Sequence, residues 1–327
     1  MGISTLPQRP SMVGIQSTAE QTRLWTILQD AAAATATRYQ TKDSALSVMD
    51  CVKVIAKPGG GYLGVYHTLA GGVFTSKVAD STDLMNWTWR ANLGTHESQP
   101  SIFALPDGGF VVPVEADNNG IQSPSATWIR FKHYTSVANL LAGTAAATFD
   151  TEHTLVGPIS GGGAEGTPHI YSALSYTSIG ASVFDVGWHY FQGAMTDRQA
   201  RGTLTNFSSW STRTEPLLDA AIQAQGAAGK IGDRDSLVYQ GRLLNVVEAQ
   251  LVLDDDATWR TYLYDWSTGV ARLVPVRTDG GSTGFANPTF SLLPGPAGGT
   301  VLFASMFLHS SAAAPGESGS LIYYRSL

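Results

Sequence analysis

Ionisable side chains cluster in the stretch from Ile231 to Gln250, where Asp233, Arg234 and Asp235 stand near one end and Glu248 near the other. The apolar residues between them form two short runs broken at Gln240-Gly241, the pattern of a tight β-hairpin. With a two-residue loop, Tyr239 pairs with Arg242, which sets Asp233 opposite Glu248 and Asp235 opposite Val246. Like charges facing each other destabilise a strand pair unless a cation, a shared proton or a ligand offsets them. Acids gathered in this way serve either as proton donors and acceptors or as a salt-bridged rim around Arg234.

The elements that position these groups repeat along the chain. Gln99 to Leu105, a turn at Pro106-Asp107-Gly108-Gly109, and Phe110 to Ala116 form a second hairpin of the same design, and a third opens at Met49-Asp50 and closes with Tyr66-His67. Two further openings stand at Thr167-Pro168-His169 and Asn287-Pro288-Thr289. Aligning Asp50, Pro100, Pro168, Asp235 and Pro288 gives spacings of one multi-stranded blade each. The expected fold is all-β, a five-bladed β-propeller over residues 47–327, with residues 1–46 as an N-terminal extension or closure segment. Within that segment, the apolar spacing from Thr18 to Ala33 predicts one short helix.

Composition agrees. The 327 residues are 43% hydrophobic, enough for a large core, and 35 Gly with 15 Pro suit a turn-dense chain. A net charge of −6 with only 14% charged residues argues against nucleic acid or a polybasic membrane contact. Cys51 is the only cysteine, so no intrachain disulfide forms, and it reads as a small core residue. No stretch is long and apolar enough to span a membrane as a helix. A mature secreted or periplasmic protein lacking its signal peptide would look like this, as would a cytoplasmic one; the expectation is a secreted or periplasmic monomer.

In each blade the start of the innermost strand and the end of its antiparallel neighbour lie on one face. One rim therefore collects Asp50, Glu97, Gln99, Glu165, His169, Asp233, Arg234, Asp235 and Asn287 from strand starts, and His67, Glu115, His189 and Glu248 from strand ends. Tyr66, Trp188 and Tyr190 stand beside them as flat surfaces for sugar rings. Paired acids in an aromatic funnel suit glycoside hydrolysis, in which one carboxyl protonates the leaving oxygen and another acts as base or nucleophile. His67, His169 and His189 match no compact zinc motif. No cofactor is expected, although the propeller centre could hold a structural cation.

Ser81-Thr-Asp-Leu-Met-Asn-Trp87 resembles the Ser-x-Asp-Leu-x-x-Trp corner of the five-bladed propeller glycosidases, glycoside hydrolase family 43 and its relatives. The resemblance implies a general base at an aspartate opening blade one and a general acid at a glutamate in a Glu-Gly-Pro-like segment opening blade three. Asp50 and Glu165 occupy the matching places, with Asp233 as a third catalytic candidate and Glu97, Gln99, His67, His169, His189, Arg234, Asp235, Glu248 and Trp188 as substrate-binding candidates. Two departures stand out: His96-Glu97-Ser98-Gln99-Pro100 replaces the aspartate expected in blade two, and Thr167 is inserted into Glu165-Gly166-Thr167-Pro168. Two other readings remain: a polysaccharide lyase in which His and Tyr abstract a proton beside a uronate neutralised by Arg234, and a non-catalytic sugar-binding propeller. The latter would repeat one binding set in every blade, whereas here the rim residues differ.

Overall fold

Short β-rich runs separated by Gly- and Asp-rich turns fold into five antiparallel sheets in the computed structural model, which describes residues 17–117, 127–151, 153–155, 165–193 and 196–327. The side chains of Asp233 and Arg234 lie outside the described residues, although their backbone belongs to a strand. Helix α1 (Ala19–Leu28) and strand β1 (Ala36–Arg38) come first. Blade one is β2 (Asp50–Ala56), β3 (Tyr62–Ala70), β4 (Val73–Ser81) and β5 (Thr88–Thr95). Blade two has β6 (Glu97–Ser98) and β7 (Phe103–Ala104) as a broken inner strand, then β8 (Phe110–Asp117), β9 (Thr127–Tyr134), the short helix α2 (Val137–Leu141) and β10 (Ala147–Asp150). Blade three is β11 (Glu165–Ser178), β12 (Ala181–Gln192), β13 (Thr196–Thr205) and β14 (Ser209–Thr214), followed by α3 (Pro216–Gln223). Blade four is β15 (Ile231–Tyr239), β16 (Arg242–Gln250), β17 (Trp259–Asp265) and β18 (Val270–Val274). Blade five is β19 (Phe285–Pro294), β20 (Thr300–Leu308) and β21 (Gly319–Ser326), and β1 pairs with β21 as its outermost strand. The protein is thus a five-bladed β-propeller.

The segment expected to stand outside the repeat therefore supplies a strand to it. Helix α1 starts where Thr18 Oγ1 accepts from Gln21 N, and its Leu24, Ile27 and Leu28 enter the core beneath blades four and five. Gln21 Nε2 donates to the carbonyls of Leu263 and Val270, and Trp25 Nε1 to that of Leu273, so the helix is fastened by polar as well as apolar contacts.

The Ser81 to Trp87 corner works through its side chains. Ser81 Oγ accepts from the amides of Asp83 and Leu84, and Asp83 Oδ1 accepts from those of Met85 and Asn86, which closes the turn. Trp87 then lies over Gly64, where a Cβ would come within 2.8 Å of the indole. In blade three Trp210 lies in the same way over Gly202, where a Cβ would come within 2.0 Å of the indole.

All five inner strands slip by one residue against their neighbours near one end. The last paired residues before the slip are Asp50, Ser98, Gly166, Ile231 and Ala286. The residue after this anchor takes a left-handed backbone at Cys51, Gln99, Thr167 and Asn287, with φ of 54°, 48°, 45° and 48°, while the fourth blade has Gly232 at this step. Such bulges free one amide from the ladder, which is why Pro100, Pro168 and Pro288 are tolerated at the next position. Asp50 thus aligns two residues before these prolines rather than with them, and Asp235 lies four residues past its anchor. Tyr239 does pair with Arg242 and Asp235 with Val246, but the slip between Ile231 and Arg234 interrupts the expected facing of Asp233 and Glu248.

Candidate active site

The bulges draw the same end of every inner strand around one cavity of about 590 Å³. At three blade junctions, among the described residues, the amide freed by the bulge is taken by a side chain from the second strand of the preceding blade. Gln99 N donates to His67 Nδ1 at 3.1 Å, Thr167 N to Glu115 Oε2 at 3.2 Å, and Asn287 N to Glu248 Oε2. A buried backbone donor outside the ladder needs such an acceptor. His67, Glu115 and Glu248 therefore join neighbouring blades as well as lining the cavity.

Because His67 Nδ1 accepts, its proton sits on Nε2, which faces Asp50 Oδ2 at 3.3 Å. Asn287 Nδ2 lies 3.2 Å from each Asp50 oxygen, and its own Oδ1 accepts from Gln99 Nε2 at 3.1 Å. Asp50 thus stands on the cavity floor with donors turned toward it, its side chain 14% exposed. Asp197, near the start of β13 and paired in register with Phe191, lines the same cavity. Burial pushes the Asp197 carboxyl well above the usual range; Lys230 and Arg198 oppose the rise, and Glu248 and Glu115 add to it. His189 Nε2 is 3.6 Å from its Oδ1, and His189 Nδ1 is 2.6 Å from Thr167 Oγ1.

Among the described residues five carboxyl groups line the cavity: Asp50, Glu115, Asp197, Glu248 and Asp256. Glu115 and Glu248 hold backbone amides, and Asp256 is an exposed residue that accepts from Trp259 Nε1. Asp50 and Asp197 instead face side chains of other strands, Asp50 those of His67 and Asn287 and Asp197 that of His189. The walls are Phe74, Phe191, Phe307 and Trp259. Tyr66 is fully buried with its hydroxyl on Asp43, so it offers no stacking face, and Tyr190 is a buried core residue.

Of the residues expected on the rim, Asp50, His67, Gln99, His189 and Glu248 line the cavity, as do Glu115 and Asn287. Glu165 does not: it is fully buried, and its Oε1 accepts from the amides of Thr154 and Leu155 at 2.8 and 2.6 Å. The inserted Thr167 explains this. It makes Gly166 the anchor, so Glu165 falls one residue before it, and successive side chains of a strand face opposite ways. The space over Gly166 is filled by Glu115, whose Oε2 would lie 1.8 Å from a Cβ there. Glu97 is also one residue before its anchor and is buried between Lys132, at 2.5 Å, and Arg130, at 3.3 Å. Trp188, adjacent to cavity-lining His189, alternates into the core against Trp210. His169 lies past the bulge with its ring on Tyr171, 4.6 Å between centroids.

Asp235 points to the propeller axis beneath the cavity. A void of about 10 Å³ there touches residues of all five blades, and Lys53 Nζ sits 2.6 Å from Asp235 Oδ2 and 2.8 Å from the Phe290 carbonyl. A structural cation needs several free oxygens, and these residues do not fit one, because the lysine ammonium already occupies the carboxylate. Asp233 and Arg234, as side chains, lie outside the described residues.

Sequence reasoning missed Asp197, Lys230, Trp259 and His309 in the cavity lining. Asp197 was within reach of it, since the start of a third strand lies on the same face as the end of the second.

No protein-family model matches the chain, and no curated protein does. Among solved structures it is similar to a thermostable family-43 glycoside hydrolase, with a TM-score of 0.56 and 12% identity over 88% of this chain and 92% of that one. It is similar to the catalytic domain of a Coprinopsis cinerea GH62 α-L-arabinofuranosidase, at 0.54 and 11% over 91% and 97% of the two chains. An exo-1,5-α-L-arabinanase from a bovine ruminal metagenomic library gives 0.53 and 11% over 87% and 95%. At these identities the likeness is one of fold.

Proposed function

We propose that the protein is a glycoside hydrolase acting on an oligo- or polysaccharide of plant or microbial origin, with Asp197 as general acid and Asp50 as general base. The observation that carries this reading is the presence, in one cavity, of two carboxyl groups in opposite surroundings: Asp50 among donors, and Asp197 buried where desolvation raises its proton affinity. Environments that separate two carboxyls in this way mark acid and base roles. In the reaction, the Asp197 proton passes to the glycosidic oxygen as the C–O bond breaks and its electron pair moves onto the leaving oxygen. Asp50 takes a proton from the attacking water, held in place by His67 and Asn287. The glycoside hydrolases among the structural neighbours share this fold, which supports the reading.

The cavity's charge favours sugars without carboxylates. Among the described residues its one Lys or Arg is Lys230, whose ammonium lies 2.9 Å from Asp254. Ionised carboxylates only accept hydrogen bonds, and glycan hydroxyls supply the donors they need. Among the described residues a uronate would meet like charge here; Arg234, the cation on which the lyase reading relies, lies outside them as a side chain.

A leaving group that is already a stable anion needs no acid. Asp197→Asn is therefore expected to lose roughly 10²- to 10⁴-fold in kcat/KM on the natural glycan and far less on an activated aryl glycoside of the same sugar. Asp50→Asn is expected to damage both. Wild-type activity should fall as pH rises through the elevated Asp197 value, since the acid works only while protonated. Equal losses for Asp197→Asn on both substrates, or the leaving-group pattern in Glu115→Gln instead, would overturn the assignment.

A further inference from the structure

We propose that Thr167 and His189 form a positioning arm that holds the Asp197 carboxyl, and the proton on it, toward the leaving-group oxygen. The proposal rests on the reading of Asp197 as general acid. Its first support is the backbone of Thr167. At four of the five bulges the residue at this step takes a positive φ, and Thr is β-branched and poorly suited to the 45° found here. Strain of this kind persists where the side chain has a task. The Thr167 hydroxyl lies 2.6 Å from His189 Nδ1, with both residues buried.

The second support is the setting of the imidazole. His189 stacks on Phe191 at an interplanar angle of 17°, and its Nε2 faces Asp197 Oδ1 at 3.6 Å. A hydrogen bond at one ring nitrogen decides what the other presents. With Nδ1–H donated to Thr167 Oγ1, Nε2 offers a lone pair to the Asp197 hydroxyl. The 3.6 Å separation is longer than a hydrogen bond, and the contact is expected to tighten when substrate binds. Among the described residues, charged groups that act on Asp197 include Lys230, Arg198, Glu115 and Glu248. The cations lower its proton affinity and the anions raise it, and the imidazole adds a directed contact at one oxygen.

Thr167→Val keeps the shape and removes the hydroxyl, while Thr167→Ser restores it; Asp197→Asn is the reference for loss of the acid. Thr167→Val is expected to lower kcat on the natural glycan about 10- to 100-fold, the scale of lost outer-shell partners. KM should change little, activity on the activated aryl glycoside should be largely spared, and the alkaline limb of the pH profile should move. Thr167→Ser should recover most of the loss. Equal losses on both substrates with an unmoved limb, or no recovery with Ser in a folded protein, would make Thr167 a purely structural residue and overturn the arm alone. If Asp197→Asn itself damages both substrates alike, the acid assignment fails and the arm falls with it.

Discussion

Which side of a strand a residue faces decides its chemistry here more than its type does. Glu165 and Glu97 are carboxylates of the expected kind, yet one step along the strand puts both in buried polar networks away from the cavity. Asp235 is removed by depth, and its partnership with Lys53 shows what that placement costs. Their side chains are 5% and 11% exposed, so removing one charge leaves the other buried and unpaired. Lys53→Met is expected to lower stability by about 3–5 kcal/mol, whereas Lys53→Met combined with Asp235→Leu should recover most of it. Urea unfolding of the two variants checks this; a double variant no more stable than the single one would contradict it.

The elements carry their own tests at the tryptophan corners. Trp210 packs over Gly202 and against Trp188 and Phe131, with ring centroids 6.1 and 5.6 Å away. A Cβ on Gly202 would lie 2.0 Å from the indole, and the ring has rigid neighbours behind it. Gly202→Ala is expected to cost about 1–3 kcal/mol by overpacking. Gly180→Ala, with open space around the new methyl, should cost much less. A thermal unfolding comparison of the two separates steric crowding from the general effect of replacing a glycine. The aspartate-rich turn from Asp254 to Trp259 differs: Asp255 accepts from Ala257 N, Asp256 accepts from Trp259 Nε1, and Trp259 lines the cavity.

For the molecule as a whole, stability depends on joining its two ends. Blade five has three strands of its own, and β1 supplies the fourth through Ala36 opposite Tyr324 and Arg38 opposite Ile322. Tyr323 adds a hydrogen bond from its hydroxyl to the Leu28 carbonyl. A chain beginning at Gln40 would lose α1 and β1 together, exposing β21 as an open edge and uncovering the apolar surface beneath Leu24, Ile27 and Leu28. It is expected to unfold at a lower temperature and to self-associate, as light scattering would show. Adding a peptide of residues 17–40 should reverse both effects; a truncated chain as stable and monomeric as the full one would refute the closure.

The five hairpins, their glycine turns and the serine-aspartate corner were legible in the sequence because each is a local structure, set by residues within a few positions of one another. That is why the propeller and the inward ends carrying Asp50, His67, His189 and Glu248 follow from the sequence, whereas the strand that the N-terminal segment adds to blade five pairs with residues at the far end of the chain. The bulge register was not legible, since the freed amides of Gln99, Thr167 and Asn287 find their acceptors on a different blade. Nor was the pairing of Asp50 with Asn287 or of Lys53 with Asp235, groups separated by 237 and 182 positions along the chain. Asp197 shows the limit most directly: its elevated proton affinity arises from burial in a ring of blades, and desolvation is a property of the closed ring rather than of any neighbour in sequence.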